Sequence, residues 1–561
     1  MPLFTSLQGY DRRWLRSDLV AGLTVWAVLV PESLAYASIA GVSPVIGLYA
    51  APPALIFYAL FGSSKHLVTG PMSATAALSA AAVADVAVGS DDVVALTAAL
   101  AVVTGALALL AGLLRLGFLA GFISEPVIKG FIVGVACTII VGQVPKLLGI
   151  EKDGETFFEQ LWHVLGNLGD TSAVTGAVGA GCLAVVLVLR RVAPVIPGSL
   201  VTVALGVVLV SQFHLDDHGV AIVGPIESGL PSLGTPDGLD LDEYLALAGA
   251  AVGVMLVGFA EGLGAAKTYA ARDHYEIDPN RELLGLGAAN LGAGLSQGMV
   301  VNGSLSKTAV NGSAGAHTQL SGLLVAAMTV VTLLLLTGLF EDLPEATLAA
   351  VVIAAVVELV DYRTLVELYR LSSRRLRAIY GVAARPDFIA AVAALLGVLV
   401  FGTLPGLFIG VGVSLLLLLY RASHPHVAEL GKVPGTDDQY ADRDRHPDNA
   451  ALPGLAVLRV EGGLFFANAD AVRRAIQAHA AEPGVRTVIL DAESIPAVDV
   501  TAVKMLAELT DQLEAGGVQL VIAGDLGQVR DVLRRDAAAV ESLDRVYPSL
   551  QAAIEATTTA T

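Results

Sequence analysis

Cysteine is nearly absent: of 561 residues only Cys137 and Cys182 carry a thiol, both inside apolar runs and without C-x-x-C spacing. That excludes a disulfide framework and offers no thiolate metal site, and core packing accounts for both. Charge is scarce as well. Charged residues make up 15% of the chain, Lys and Arg number 33 against 52 acids, and the formal net charge is -19. So few basic side chains leave no footprint for nucleic acid. No Walker-type loop is present, no nucleophile is paired with a base and no metal-ligand spacing stands out, so nothing supports an enzyme or a cofactor. The first apolar run lacks a small-residue cleavage site, which makes it an internal helix and not a removed signal.

What is abundant is apolar length. Hydrophobic residues reach 55%, mean hydropathy is +0.70, and many runs approach the roughly 20 residues needed to cross hydrocarbon. The chain reads as an α-helical polytopic membrane protein. Arg115, Arg190, Arg191, Arg272, Arg281 and the cluster Arg363, Arg370, Arg374, Arg375, Arg377 and Arg385 fall on one side if spans alternate, the side that the positive-inside rule assigns to the cytoplasm. Asp85, Asp91, Asp92, the acidic segment 211–243, Glu341, Asp342 and Glu345 collect on the other, with Lys146 and Lys152 as exceptions. Fourteen segments with both termini inside fit this pattern, and lodging in the cell membrane follows.

Two echoes divide these segments. Gly70-Pro-Met-Ser73-Ala74-Thr75-Ala76 and Gly303-Ser-Leu-Ser306-Lys307-Thr308-Ala309 share G-x-x-S-x-T-A, while Glu32-Ser-Leu34-Ala-Tyr36-Ala37 and Glu261-Gly-Leu263-Gly-Ala-Ala266 share E-x-L-x-x-A at nearly the same offset. A duplicated half is expected. Seven segments per half, an odd number, place the second copy upside down. The expected layout is a cytoplasmic segment 1–15, a first repeat 16–213, an acidic outer connector 214–240, a second repeat 241–421, a linker 422–451 and a soluble domain 452–561. In that last region Leu455 to Val460, Thr487 to Leu490 and Val518 to Ala523 are strand-like, while Ala469 to Ala481 and Val500 to Leu513 are helical, with Asp499 as cap. This is a small α/β domain.

Gly70-Pro71 and Asn302-Gly303-Ser304 are extended, helix-breaking stretches in corresponding places of the two halves, the best sequence pointer to a transporter site. Half-helices beginning near Ser73 and Ser306 would turn their N-termini toward each other, and each N-terminus carries about half a positive charge with free N–H groups. Ser73, Thr75, Ser306 and Thr308 could add hydroxyl donors, or serve only close helix packing. Lys307 would bring a full positive charge, unless it snorkels to water. Glu261 lies in an apolar run, where an acid costs about 3 kcal/mol and needs a reason to be present.

The stretches Pro31-Glu32-Ser-Leu-Ala-Tyr36-Ala, Gly47-Leu-Tyr49, Phe61-Gly-Ser-Ser-Lys65-His66 and Gly70-Pro71, followed by Glu261-Gly-Leu-Gly-Ala-Ala-Lys267-Thr268-Tyr-Ala and Leu343-Pro344-Glu-Ala346, strongly resemble the sulfate permease (SulP) family of anion transporters. The resemblance covers nearly the whole chain, and its last part looks like the STAS domain that closes most such proteins. It implies seven-plus-seven inverted repeats, a core domain moving against a gate domain, an anion site between the third and tenth helices, and a homodimer. Ser73, Ala74, Thr75, Ser306, Lys307, Thr308 and Tyr36 are then the anion-binding candidates, although the aromatic ring of Tyr36 could equally pack the core. The family's counterpart of Lys307 is commonly arginine. Glu261 matches the acid of proton-coupled members and is the candidate coupling carboxylate, with a static salt bridge to Lys307 or Lys267 as its alternative.

Glu32 departs from the family, which usually has glutamine there. An ionised Glu32 would repel an anion, so it titrates, pairs with a lysine or binds a cation, and it joins Glu261 as a coupling-ion candidate. In the STAS-like region Asp499-Val-Thr501-Ala resembles the helix start that carries the phosphorylated hydroxyl in anti-sigma-factor antagonists, with Thr501 at the acceptor position, but Val500 and Ala502 depart from the usual pattern and a plain N-terminal helix residue is the alternative. The expected function is proton-coupled sulfate symport by alternating access. Sodium-coupled bicarbonate uptake, proton-coupled dicarboxylate uptake, a passive channel, and an anion sensor signalling through the STAS-like domain to a cytoplasmic partner are the alternatives.

Overall fold

The computed structural model describes all residues except 1–2, 88–92, 123, 155, 194–195, 227, 237, 358–359, 371–384, 437, 525–544 and 559–561. Asp91, Asp92, Arg374, Arg375 and Arg377 therefore lie outside the described residues. Two compact units result, one built from residues 1–370 and 387–414, the other chiefly from 415–561.

The first unit is helical. Its first half contains α1 (Leu15–Ile39), α2 (Pro44–Phe61), the short strand β1 (Val68–Gly70), α3 (Ser73–Ala84), α4 (Val93–Leu113), α5 (Glu125–Leu148), α6 (Phe157–Gly166), α7 (Ala173–Val192) and α8 (Gly198–Phe213). The second half contains α9 (Leu241–Arg272), α10 (Pro279–Leu295), the strand β2 (Asn302–Ser304), α11 (Leu305–Ser313), α12 (Leu320–Val331), α13 (Glu345–Val357), α14 (Tyr362–Arg370), α15 (Pro386–Phe401) and α16 (Thr403–Ser423). Eight of these are long and apolar enough to cross a membrane, with α12 counted together with its continuation to Phe340, and α3, α8, α13 and α15 are shorter apolar helices. Among the described residues the four remaining helices, α6, α10, α11 and α14, fall in neither group, and the connection from Phe213 to Leu241 separates the two halves.

Packing sorts the helices into two groups. Helices α1 to α4 pack with α9 to α12, chiefly as α4 on α10, α2 on α10, α1 on α12 and α2 on α12, whereas α5, α7 and α8 pack with α13. Small residues set the closeness of these crossings, because apolar side chains gain nothing by leaving lipid. A Cβ on Gly130 of α5 would lie 1.9 Å from the Ala391 carbonyl oxygen of α15, and one on Gly105 of α4 would lie 2.6 Å from the Leu291 amide of α10. The grouping matches the expected core and gate.

The second unit is an α/β fold. Its sheet has the order β4-β3-β5-β6-β7-β8, comprising β3 (Val427–Lys432), β4 (Tyr440–Asp442), β5 (Leu455–Val460), β6 (Thr487–Asp491), β7 (Gln519–Ala523) and β8 (Val546–Tyr547), with β5 to β8 parallel. Alternation along β5 decides the layers: Ala456, Leu458 and Val460 face α17 (Ala469–Ala480) and α18 (Val500–Ala515), while Val457 faces α19 (Leu550–Thr558). The segment 422–451, expected as a linker, instead supplies β3 and β4, with β3 antiparallel to β5 over Val427 to Glu429. Its Pro, Gly and alternating charges mark a short edge hairpin, whose polar side chains also resemble linker composition.

Candidate functional site at the paired half-helices

Strands β1 and β2 come from opposite halves of the chain and pair antiparallel, Val68 with Ser304, Thr69 with Gly303 and Gly70 with Asn302. Non-helical backbone deep in a membrane protein must be satisfied internally. This ribbon does so, and side chains reinforce it. The Val68 amide donates to Thr308 Oγ1 at 3.0 Å, Thr69 Oγ1 donates to the Ala54 carbonyl at 3.1 Å, and Gln319 Nε2 donates to the Ser64 and Leu67 carbonyls at 3.0 and 2.8 Å. Gly303 has to be glycine for room: a Cβ there would lie 2.8 Å from Leu67 and 3.0 Å from the Cα of Gly262 on α9.

Each strand runs directly into a half-helix, β1 into α3 and β2 into α11. Because the strands are antiparallel, the two helices leave the ribbon in opposite directions and both N-termini point back at it. Their first-turn N–H groups and dipoles converge on one region, which suits an anion. The two ends differ in capping. Ser304 caps α11 by accepting from the Lys307 amide at 3.3 Å, whereas α3 has no side-chain cap and starts from the extended Met72.

Ser73, Ala74 and Thr75 form the first turn of α3 and are buried. The Thr75 hydroxyl proton is committed to the Met72 carbonyl at 3.2 Å. On α11, Ser306 is exposed with its Oγ 3.1 Å from Ser304 Oγ, and Thr308 is buried holding β1. The expectation of four hydroxyl donors is thus reduced. Thr75 has spent its proton, whereas Thr308 accepts from the Val68 amide and keeps its own, so Ser73, Ser306 and Thr308 remain as candidate donors.

Lys307 does not reach water: it is 1% exposed. Its Nζ lies 2.9 Å from Glu32 Oε2, 3.1 Å from the Pro71 carbonyl oxygen and 4.9 Å from the ring centroid of Tyr36. The ammonium thus bridges from its own helix to the residue just ahead of the α3 start, with the face of Tyr36 adding a cation–π contact. Glu32, also buried, sits on α1 one turn before Tyr36. Of the three roles open to Glu32, pairing with a lysine is the one the geometry displays.

Glu261 stands apart from that pair. Its Oε2 is buried without a hydrogen-bond partner, and neither Lys307 nor Lys267 forms an ion pair with it among the described residues. Gly258 and Gly262, on either side of it along α9, pack against Asn302 and Gly303 of β2. Asn302 is the residue that motif reading passed over as a side chain. Among the described residues its Nδ2 likewise has no hydrogen-bond partner where it lies buried next to α9, and its mark in the sequence is its place in the helix-breaking stretch with Gly303.

Thr501 lies in the other unit, exposed in the first turn of α18, whose amide at Ala502 donates to Asp499 Oδ1 at 2.8 Å. It lines a groove with Phe466, Arg473 and Lys504. Asp491 is buried at the end of β6 and held by Arg459 at 2.7 Å.

Residues 15–382 match the sulfate permease family, and residues 446–553 match the STAS domain. The chain is 37% identical over 560 residues to a probable sulfate transporter of Mycobacterium tuberculosis, covering 99% of this chain and 97% of that protein. The murine anion transporter Solute Carrier 26 family member A9, solved in an inward-facing state, superposes with a TM-score of 0.88 at 21% identity, over 99% of this chain and 93% of its own. The transmembrane domain of the cyanobacterial bicarbonate transporter BicA matches 71% of this chain and 98% of its own with a TM-score of 0.61 at 23% identity. These two likenesses carry the fold.

Proposed function

Because this chain belongs to the sulfate permease family of anion transporters, we propose that it is a secondary active transporter that carries sulfate together with protons by alternating access. The observation that carries this reading is the ribbon of β1 and β2, which turns the N-termini of α3 and α11 toward one region and sets the Lys307 ammonium between them. An anion entering there meets N–H groups, the hydroxyls of Ser73 and Ser306, and Tyr36, whose ring face is turned to the Lys307 ammonium. Helices α1 to α4 with α9 to α12 carry the site as one body past α5 to α8 and α13 to α16, exposing it to each side in turn.

Glu261 is the coupling carboxylate in this reading, with Glu32 as the second acid of the site. Its buried oxygen without a partner supports a group that is charged at one stage of the cycle and neutral at another. The protein works as a homodimer in the cell membrane, with both termini in the cytoplasm. The STAS domain offers the exposed α18 surface, including Thr501, to a cytoplasmic partner.

Uptake of radiolabelled sulfate into proteoliposomes, with and without an inward proton gradient, tests this directly. Uptake should rise with the gradient in the native protein and lose that dependence in Glu261→Gln. Entry of bicarbonate or fumarate in place of sulfate would leave the site and replace the substrate, and dependence on sodium would replace the coupling ion.

A further inference from the structure

Helix α6 is amphipathic the wrong way round for a helix in water. Two of its polar side chains turn back onto the chain before it: Gln160 Nε2 donates to the Gly154 carbonyl at 3.1 Å, and His163 Nε2 lies 3.1 Å from the Glu151 carbonyl oxygen. A third, Glu159, closes a capping box with Thr156. The apolar side chains turn outward. Phe158, Trp162 and Leu165 stand four and three residues apart, a spacing that puts them on one face, and they are 53%, 79% and 54% exposed. Water gives such a stripe no reason to be there.

The place of α6 in the fold fixes what covers the stripe. The Ser172 amide donates to the Leu148 carbonyl at 3.0 Å, so the last residue of α5 and the residue that caps α7 lie side by side, and the chain between them leaves and returns at one level. Both α5 and α7 are long and apolar enough to cross a membrane. The excursion therefore begins and ends at the membrane surface. Helix α6 packs on α5, and its ten residues give it a length of about 15 Å, too short to span. Lys146, in the last turn of α5, marks this face as the outer one in the expected orientation. Aromatic rings gather at such a boundary, where one end is apolar and the other wet. We infer that α6 is an interfacial anchor, lying along the membrane surface with Phe158, Trp162 and Leu165 in the lipid between headgroups and acyl chains.

The element order of the two halves confines this device to one face. Strand β1 is followed by α3 to α8 and β2 by α11 to α16, so α14 is the counterpart of α6. Its exposed residues include Arg363, Glu367 and Arg370 beside Val366 and Tyr369, a charged surface that suits water. Helix α13 packs on α5 and α7, so a helix fastened both to α5 and to lipid holds that group of helices at one depth. A body needs such a hold when another moves past it. That consequence rests on the alternating-access reading, whereas the anchor itself does not.

Tryptophan fluorescence tests the anchor, because the chain has three tryptophans and only Trp162 is on α6. Trp14 stacks on His317 and the Trp26 indole donates to Thr332, so the difference in emission between the full-length protein and Trp162→Phe isolates Trp162. In nanodiscs of phosphatidylcholine brominated at a set depth, that difference should be quenched most by bromine near the headgroup end of the acyl chain. Bromine near the methyl end should quench it less, and iodide in the water little. A second measurement is amide exchange over residues 157–166. The triple variant Phe158→Ala, Trp162→Ala, Leu165→Ala changes side chains that are more than half exposed and keeps helix propensity, so it should fold. In nanodiscs its α6 should exchange about tenfold faster than in the native protein, having lost the apolar contacts that hold it down.

Quenching by iodide with none by brominated lipid places the stripe in water and overturns the inference. Quenching by neither means that protein covers it, a second copy of this chain included, and overturns it as well. So does strongest quenching by the deep bromine, which would sink the helix into hydrocarbon, or unchanged exchange in the triple variant. Neither measurement uses sulfate, so the anchor stands or falls apart from the transport reading.

Discussion

Lys307→Met should destabilise the membrane unit more than any other single change at the half-helices, and the reason can be worked from one distance. At 2.9 Å and an effective dielectric of about 20, the attraction between Glu32 and Lys307 is about 6 kcal/mol. Desolvation of two ions offsets much of this, yet removing one partner strands the other, a change that typically costs about 3–5 kcal/mol. The cation–π contact with Tyr36 and the hydrogen bond to Pro71 are lost too, but they are lost equally in E32Q/K307M. Comparison of the two variants therefore isolates the stranded carboxylate. We expect K307M to lose about 3–5 kcal/mol, the double variant distinctly less, and a coupling of about 2–3 kcal/mol across the cycle. Unfolding in mixed micelles, followed by far-UV circular dichroism against the fraction of denaturing detergent, gives these numbers. Additive effects, with the double variant as unstable as the two single losses together, would refute the pairing.

Other changes bear on separate parts of the argument. Thr308→Val removes the acceptor of the Val68 amide and should cost about 1–3 kcal/mol, seen as faster amide exchange at β1 with α4 and α10 unaffected. Gly130→Leu forces a side chain into the Ala391 backbone, so the protein should fail to reach a monodisperse state in detergent, while Gly181→Leu, whose Cβ meets open space, should not. In the STAS domain, Arg459→Met strands Asp491 and should destabilise that unit by about 3–5 kcal/mol, read as earlier exchange of β5 and β6. Ser73→Ala should weaken sulfate binding by a few-fold, and Thr75→Val should change it little, since that hydroxyl donates within its own helix.

Much of the architecture is legible in the chain because its signals are compositional or periodic. The helix breaks at Gly70-Pro71 and Asn302-Gly303 mark the ribbon, and the half-helix starts fall at Ser73 and Leu305 against expected positions near Ser73 and Ser306. The roles of hydroxyls were harder to read. A threonine that binds an anion and one that holds a strand look the same in sequence, and only packing shows that Thr75 donates to the Met72 carbonyl while Thr308 accepts from β1. The partner of Lys307 was undetermined for the same reason: Glu32 and Glu261 occupy equivalent places in the two echoes, and which of them reaches the ammonium depends on how α1 and α9 are turned. Residues 422–451 misled because an edge hairpin rich in charge has the composition of a linker.

The ribbon that joins the two halves also imposes an order on biosynthesis. β1 emerges early, yet its partner residues 302–304 are made more than two hundred residues later, an interval of roughly ten to fifty seconds at ordinary rates of synthesis. Throughout that interval the backbone at Val68 to Gly70 lacks its partner strand, in a medium that tolerates no unsatisfied amide. The first half must therefore be held back from lipid, by the insertion machinery or at the interface, until the second half arrives to close it.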